Sequence, residues 1–204
     1  MYKFISTIIY IFLRIFKVVK VKGNHHIPKN TGFIVTCTHI GWVDVIILAI
    51  ALYPTPVHFM AKKELFEGRW KNKFLRSIHA FPVNRENPGP STIKTPLKLL
   101  RAQQCVGIFP SGTRTSEDVP LKRGAVTIAV KAKAPILPAH YEGPTNFSQL
   151  LKGRKAIITF GEPLIFSGTA KKDNAIDEGI HRLELKMKGL EDEVKASLKK
   201  QLPG

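Results

Sequence analysis

In the segment THIGWVD, His39 stands five residues before Asp44, a pair able to do acid–base work if the fold lets imidazole and carboxylate meet. On one continuous α-helix that step turns the side chains about 140° apart, and a regular helix keeps them from pairing. If His39 instead ends a strand, Gly41 makes a tight turn and Asp44 falls in the first turn of the next helix, the carboxylate can reach the ring. It would then hold one ring N–H, fix the tautomer and stabilise the imidazolium, leaving the other nitrogen to take a proton from a hydroxyl. A substrate hydroxyl activated in this way can attack a thioester itself, so the chemistry requires no Ser or Cys nucleophile. Taken singly, His and Asp at this spacing are usually incidental, and the neighbouring segments must decide.

The stretch FPSGTRT (109–115) puts a glycine, hydroxyls and Arg114 after a strand-like run. There a flexible backbone and a guanidinium fork can grip phosphate oxygens in bidentate fashion, although the same stretch alone could be an ordinary polar turn. The surrounding elements bear on that choice. GFIVTCT (32–38) is β-branched and strand-like, 42–52 suits a buried helix, and VHFMA (57–61) is extended. A basic helical stretch from Lys62 to Ser77 precedes AFPVNR, a helix around Thr92 to Gln104 and the strand CVGIFP. A polar loop, the helix GAVTIAVKAKA, the strands ILPAHYE and KAIITFGEP, and a peripheral charged helix over about 174–200 complete the chain.

This alternation predicts a single α/β domain whose mixed, largely parallel sheet is flanked by helices. Ligands of such sheets collect beyond the carboxyl ends of the strands. His39, the Asn84–Arg85 pair and Ser111 to Arg114 each follow a predicted strand, so they can converge on one crevice.

The 204 residues suffice for one core without disulfides or metals. Cys37 and Cys105 sit in apolar runs and read as buried, reduced thiols, as in a reducing compartment. No Cys/His spacing suggests a metal site. Net charge is +17, and residues 1–150 carry 21 basic and 7 acidic side chains, +14 of that total. A field of this sign favours anionic partners: nucleic acid, anionic lipid or phosphate-bearing substrates. Nucleic acid is the weaker choice, because neither a stacking ladder of aromatics nor a helix-turn-helix or zinc signature is present.

At the N-terminus, FISTIIYIFLRIFKVV (4–19) is apolar but carries Arg14 and Lys17, and its longest charge-free run, Phe4 to Leu13, is ten residues. A spanning helix needs about 20. Residues 1–22 are therefore expected to form an amphipathic helix lying in the membrane interface, ahead of a catalytic domain over 23–204. A first helix packed on the core is the alternative. A signal peptide is disfavoured because no small-residue cleavage site precedes VKVKG.

Taken together, His39 and Asp44 in H-x4-D, AFPVNR (80–85), FPSGTRT (109–115) and ILPA (136–139) resemble the four ordered motif blocks of the glycerolipid acyltransferase family. The resemblance covers about residues 20–165, and four blocks in order are far more specific than any one. It implies His39 as general base, Asp44 as its orienting partner, and Arg85, Gly112, Thr113 and Arg114 as holders of an acceptor's phosphate. Lys62 and Lys122 match basic positions near the family's site, and Ile136, Leu137 and Pro138 of the fourth block would shape the acyl or donor side. One position departs: where the family reads FPEGTRS, this chain has Ser111 and Thr115. The lost carboxylate removes one orienter of the arginine and bears on which acceptor is used.

The implied reaction is transfer of a fatty acyl group from acyl-CoA or an acyl carrier protein to the sn-2 hydroxyl of lysophosphatidate, at the cytoplasmic face of the membrane. The donor serves as a substrate, and no other cofactor is expected. Alternatives are another lysophospholipid or glycerol phosphate as acceptor, a hydrolase in which His39 activates water, and a non-catalytic basic module binding membrane or nucleic acid.

Overall fold

The computed structural model describes residues 19–39, 41–84, 89–112, 118–166 and 172–199. The β-branched run after Gly32 forms β2 (Phe33–His39), followed by helix α1 (Trp42–Ala51) and β3 (Val57–Lys62). Helix α2 (Arg69–Ser77), β4 (Phe81–Val83), α3 (Ser91–Arg101), β5 (Cys105–Gly112), α4 (Asp118–Ala132) and β6 (Ile136–Glu142) continue the alternation. A short helix α5 (Phe147–Leu151), β7 (Ala156–Phe160) and the long α6 (Lys172–Lys199) complete it.

With β1 (Val19–Lys22) at one edge, the strands form a seven-stranded sheet in the order β1-β7-β6-β2-β5-β3-β4. Neighbours from β6 to β4 are parallel, and β7 runs antiparallel to β6. Helices cover both faces, which is why Phe33 to Cys37 are buried without interruption. Alternate residues serve opposite faces. Phe33, Val35, Cys37, Leu137 and Ala139 pack against Val43, Ile47 and Leu48 of α1. On the other face Ile34, Val106, Ile108 and Ile136 pack against Leu100 of α3, Val126 and Ala129 of α4, and Leu183 of α6.

Four local expectations need correction. Val19–Lys22, placed above at the end of the N-terminal helix, pairs in parallel with β7 from Val19↔Ala156 to Lys22↔Thr159. The folded domain therefore begins no later than Val19, whereas the interface helix expected over 1–22 otherwise lies outside the described residues. The basic stretch 62–77 is not one helix: Lys62 ends β3, Lys63–Phe66 make a 3-10 turn, and Gly68 at φ 90° precedes α2, a left-handed backbone that favours glycine.

The polar loop after CVGIFP also starts later than its composition implies. Ser111 and Gly112 stay in β5, paired with Thr38 and His39. The register shifts between Thr36↔Ile108 and Thr38↔Ser111, giving β5 one extra residue beside Pro110, whose missing N–H cannot join the ladder. Finally, α5 was absent from the expected elements; Asn146 caps it by accepting the Gln149 N–H at 3.0 Å. Among the described residues no helix is long and apolar enough to cross a membrane.

Candidate active site

The strand–turn–helix arrangement expected around THIGWVD is the one the chain adopts. His39 is the last residue of β2, Gly41 the N-cap of α1 and Asp44 the third residue of that helix. Asp44 is fully buried, and its Oδ2 accepts the Gly41 backbone N–H at 2.9 Å. The carboxylate thereby fixes the turn following His39 and places negative charge at the helix N-terminus, where the backbone dipoles favour it. Glycine at 41 is required by proximity: a Cβ there would lie 2.5 Å from the Thr145 carbonyl oxygen.

The wall behind this turn involves residues that the sequence motifs did not mark. Thr38 Oγ1 accepts the Tyr141 backbone N–H at 3.0 Å, and the buried Tyr141 hydroxyl donates to the Pro144 carbonyl at 2.6 Å. These bonds hold the 143–146 segment against Gly41. The only signal for Tyr141 was an aromatic side chain two residues past ILPA. Burial raises its pKa first, and the Asp44 charge adds to the shift, so the phenol stays protonated. The Cys37 thiol is pushed up by the same two causes in the same order, and burial pushes Cys105 up as well. Neither cysteine offers a thiolate nucleophile.

Four adjacent parallel strands end on one edge of the sheet. His39 of β2 pairs with Gly112 of β5; Phe59 of β3 lies level with Gly107, and Lys62 at the end of β3 pairs with Val83 of β4. His39, Asp44, Gly112 and Lys62 are thus gathered at the carboxyl ends of β2, β5 and β3. Arg85 lies two residues beyond Val83, and Thr113 and Arg114 directly follow Gly112, so the chain leads all three from this edge; they lie outside the described residues.

The remaining candidates have structural partners among the described residues. Lys122 binds Glu184 of α6 at 3.0 Å, and its ammonium ties α4 to α6. Ile136, Leu137 and Pro138 sit level with Ile34, Val35 and Thr36, about 10–17 Å below His39 at the rise of a strand. Ile136 and Leu137 are fully buried, on opposite faces of the sheet, and Pro138 accepts the Gly161 N–H through its carbonyl. The Ile136 and Leu137 side chains thus belong to the packed core of the sheet. Leu137→Ala is accordingly expected to cost about 2–5 kcal/mol of stability, read by urea unfolding, without changing the acyl-chain preference of the folded protein.

Residues 18–142 match the family described as Acyltransferase. The chain is 56% identical over 164 residues to a Bacillus subtilis protein named 1-acyl-sn-glycerol-3-phosphate acyltransferase, spanning 80% of this chain and 82% of that one. A Streptococcus pneumoniae protein of the same name is 36% identical over 184 residues, covering 86% and 69% of the two chains. The crystal structure of the Thermotoga maritima 1-acyl-sn-glycerophosphate acyltransferase superposes with a TM-score of 0.66 over 99% of this chain and 83% of that one, at 23% identity, and agrees in fold. An H-x4-D pair at the head of a parallel sheet, a family match over most of the folded domain and relatives aligned along most of its length together place this chain in the acyltransferase family.

Proposed function

We propose that this acyltransferase moves a fatty acyl group from a thioester, acyl-CoA or acyl carrier protein, to the sn-2 hydroxyl of 1-acyl-glycerol-3-phosphate, yielding phosphatidate. The observation that carries the reading is the placement of His39 at the end of β2, beside Gly112 and one turn ahead of the buried Asp44. The relatives named as 1-acyl-sn-glycerol-3-phosphate acyltransferases support the choice of acceptor.

In this mechanism His39 takes the hydroxyl proton and the oxygen attacks the thioester carbonyl. The tetrahedral oxyanion is steadied by a backbone N–H or a nearby cation. The C–S bond then breaks, and the imidazolium returns its proton to the departing thiolate. Asp44 orients the ring and offsets its charge while it is protonated. Arg85, Thr113 and Arg114 hold the acceptor's phosphate beside the Gly112 backbone, and Lys62 adds positive charge to the same edge. A water molecule in place of the lipid hydroxyl would give hydrolysis, and excluding it is the task of the bound acceptor.

The enzyme works at the cytoplasmic face of an anionic membrane, where its lysolipid acceptor resides. The +14 carried by residues 1–150 supports that location. The test is incubation of purified protein with labelled acyl-CoA and acyl carrier protein donors and a panel of lysolipids, with products read by mass. Phosphatidate from lysophosphatidate is the expected product. Free fatty acid alone would identify a hydrolase, and reaction with uncharged or zwitterionic acceptors but not with lysophosphatidate would overturn the phosphate-binding roles of Arg85 and Arg114.

A further inference from the structure

Helix α2 packs on the domain through one edge. Leu75 is its buried residue, clustered with Phe66 and Ala80. Trp70 and Phe74, four residues apart, share a stripe about 40° wide that lies about 120° from Leu75. They are 84% and 62% exposed, and Leu65 in the preceding 3-10 turn is 38% exposed. Single exposed apolar residues are ordinary on protein surfaces, but two aromatic rings on one stripe of a nine-residue helix form a patch.

The patch is framed by cations. Arg69, Lys71, Lys73 and Arg76 are all exposed, and the helix RWKNKFLRS contains no acidic residue. Arg76 lies over the Phe66 ring, 5.8 Å from its centroid, with its Nε donating to Asn72 at 2.6 Å. Lys71 and Lys73 flank the aromatic stripe on its two sides. Protruding rings flanked by flexible cations suit the interface of an anionic bilayer, where the rings reach the headgroup level and the charges meet lipid phosphates. A protein partner would need a preformed pocket for each ring, whereas a bilayer accommodates any protrusion. The location also fits, because only the 3-10 turn, Glu67 and Gly68 separate the Lys62 end of β3 from α2.

We propose that α2, with Leu65, is a membrane-docking surface of the folded domain, seating Trp70 and Phe74 in the headgroup region of an anionic bilayer beside the carboxyl edge of the sheet. The proposal rests on the reading of this chain as a membrane-surface enzyme and is independent of the acceptor's identity.

The test uses the full chain carrying Trp42→Phe, which leaves Trp70 as the single tryptophan. Vesicles of phosphatidylcholine with about 30% phosphatidylglycerol should shift Trp70 emission to the blue, and lipids brominated near the headgroup end of the acyl chain should quench it. Trp70→Ser with Phe74→Ser, in the otherwise wild-type chain, should weaken vesicle partitioning about 10-fold or more, while transfer between short-chain, vesicle-free substrates stays at the wild-type rate. If the protein sediments with vesicles but Trp70 emission is neither shifted nor quenched, another element docks and the proposal is overturned while the membrane reading survives. If no sedimentation occurs, both fall. Loss of vesicle-free activity with an acyl carrier protein donor but not with acyl-CoA would make this a carrier-protein surface and overturn the proposal in that way.

Discussion

Replacing Asp44 by Asn should lower kcat for acyl transfer by about 10²–10⁴-fold, the range associated with losing general-base function, while the protein stays folded. Asn keeps the shape of the side chain and an oxygen that can accept the Gly41 N–H, so the turn after His39 survives. What it removes is negative charge. In the buried setting of Asp44 water screens little of the interaction with a newly formed imidazolium, and the transition state loses that support directly. Asp44→Ala removes the acceptor as well and leaves the Gly41 N–H without the bond recorded at 2.9 Å. It should therefore add a stability loss of about 1–3 kcal/mol to the same loss of activity. Steady-state kinetics beside thermal unfolding separates the two effects: Asn should change the rate with little change in unfolding, and Ala should change both.

His39→Ala should reduce kcat by a similar factor, about 10²–10⁴, with a much smaller change in KM for the acceptor. The reason is the division of roles in the proposed mechanism. Proton removal is assigned to the residue ending β2, and phosphate binding to residues after β4 and β5. Deleting the base removes an interaction needed in the transition state without removing those that hold the ground-state substrate. A large rise in KM with kcat preserved would instead make His39 a binding residue.

The central strands and their helices were legible in the sequence because burial on both faces demands continuous apolar, β-branched runs. GFIVTCT and CVGIFP announce themselves in this way, and the following polar segments mark the carboxyl edge. The turn between His39 and Asp44 was legible through geometry: a helix could not pair them, and glycine at 41 offered the alternative that the chain adopts. Val19–Lys22 was not legible, because VKVK continues an apolar, basic segment and its strand character comes from pairing with β7, more than 130 residues away. Ser111 and Gly112 read as loop residues by composition, yet pairing with Thr38 and His39 keeps them in β5.

The fourth motif block shows a different limit. A motif marks which residues recur, without distinguishing a surface that touches substrate from the core that holds that surface in place. Ile136 and Leu137 belong to the core, whereas Tyr141, further along the same strand, braces the turn through Pro144. Lys122 matched a motif position by charge, and its partner Glu184 lies 62 residues away on α6, beyond the reach of local spacing.

The central claim is that His39 and Asp44 act as one catalytic unit, and a double-mutant cycle on kcat tests it most directly. With His39→Ala, Asp44→Asn and the combined variant all shown to be folded, the double should be no slower than the slower single within about 3-fold, because an orienting carboxylate has nothing to orient once the ring is gone. Losses that multiply, with the double slower than either single by the full factor of the other, would show the two side chains acting independently and contradict the account.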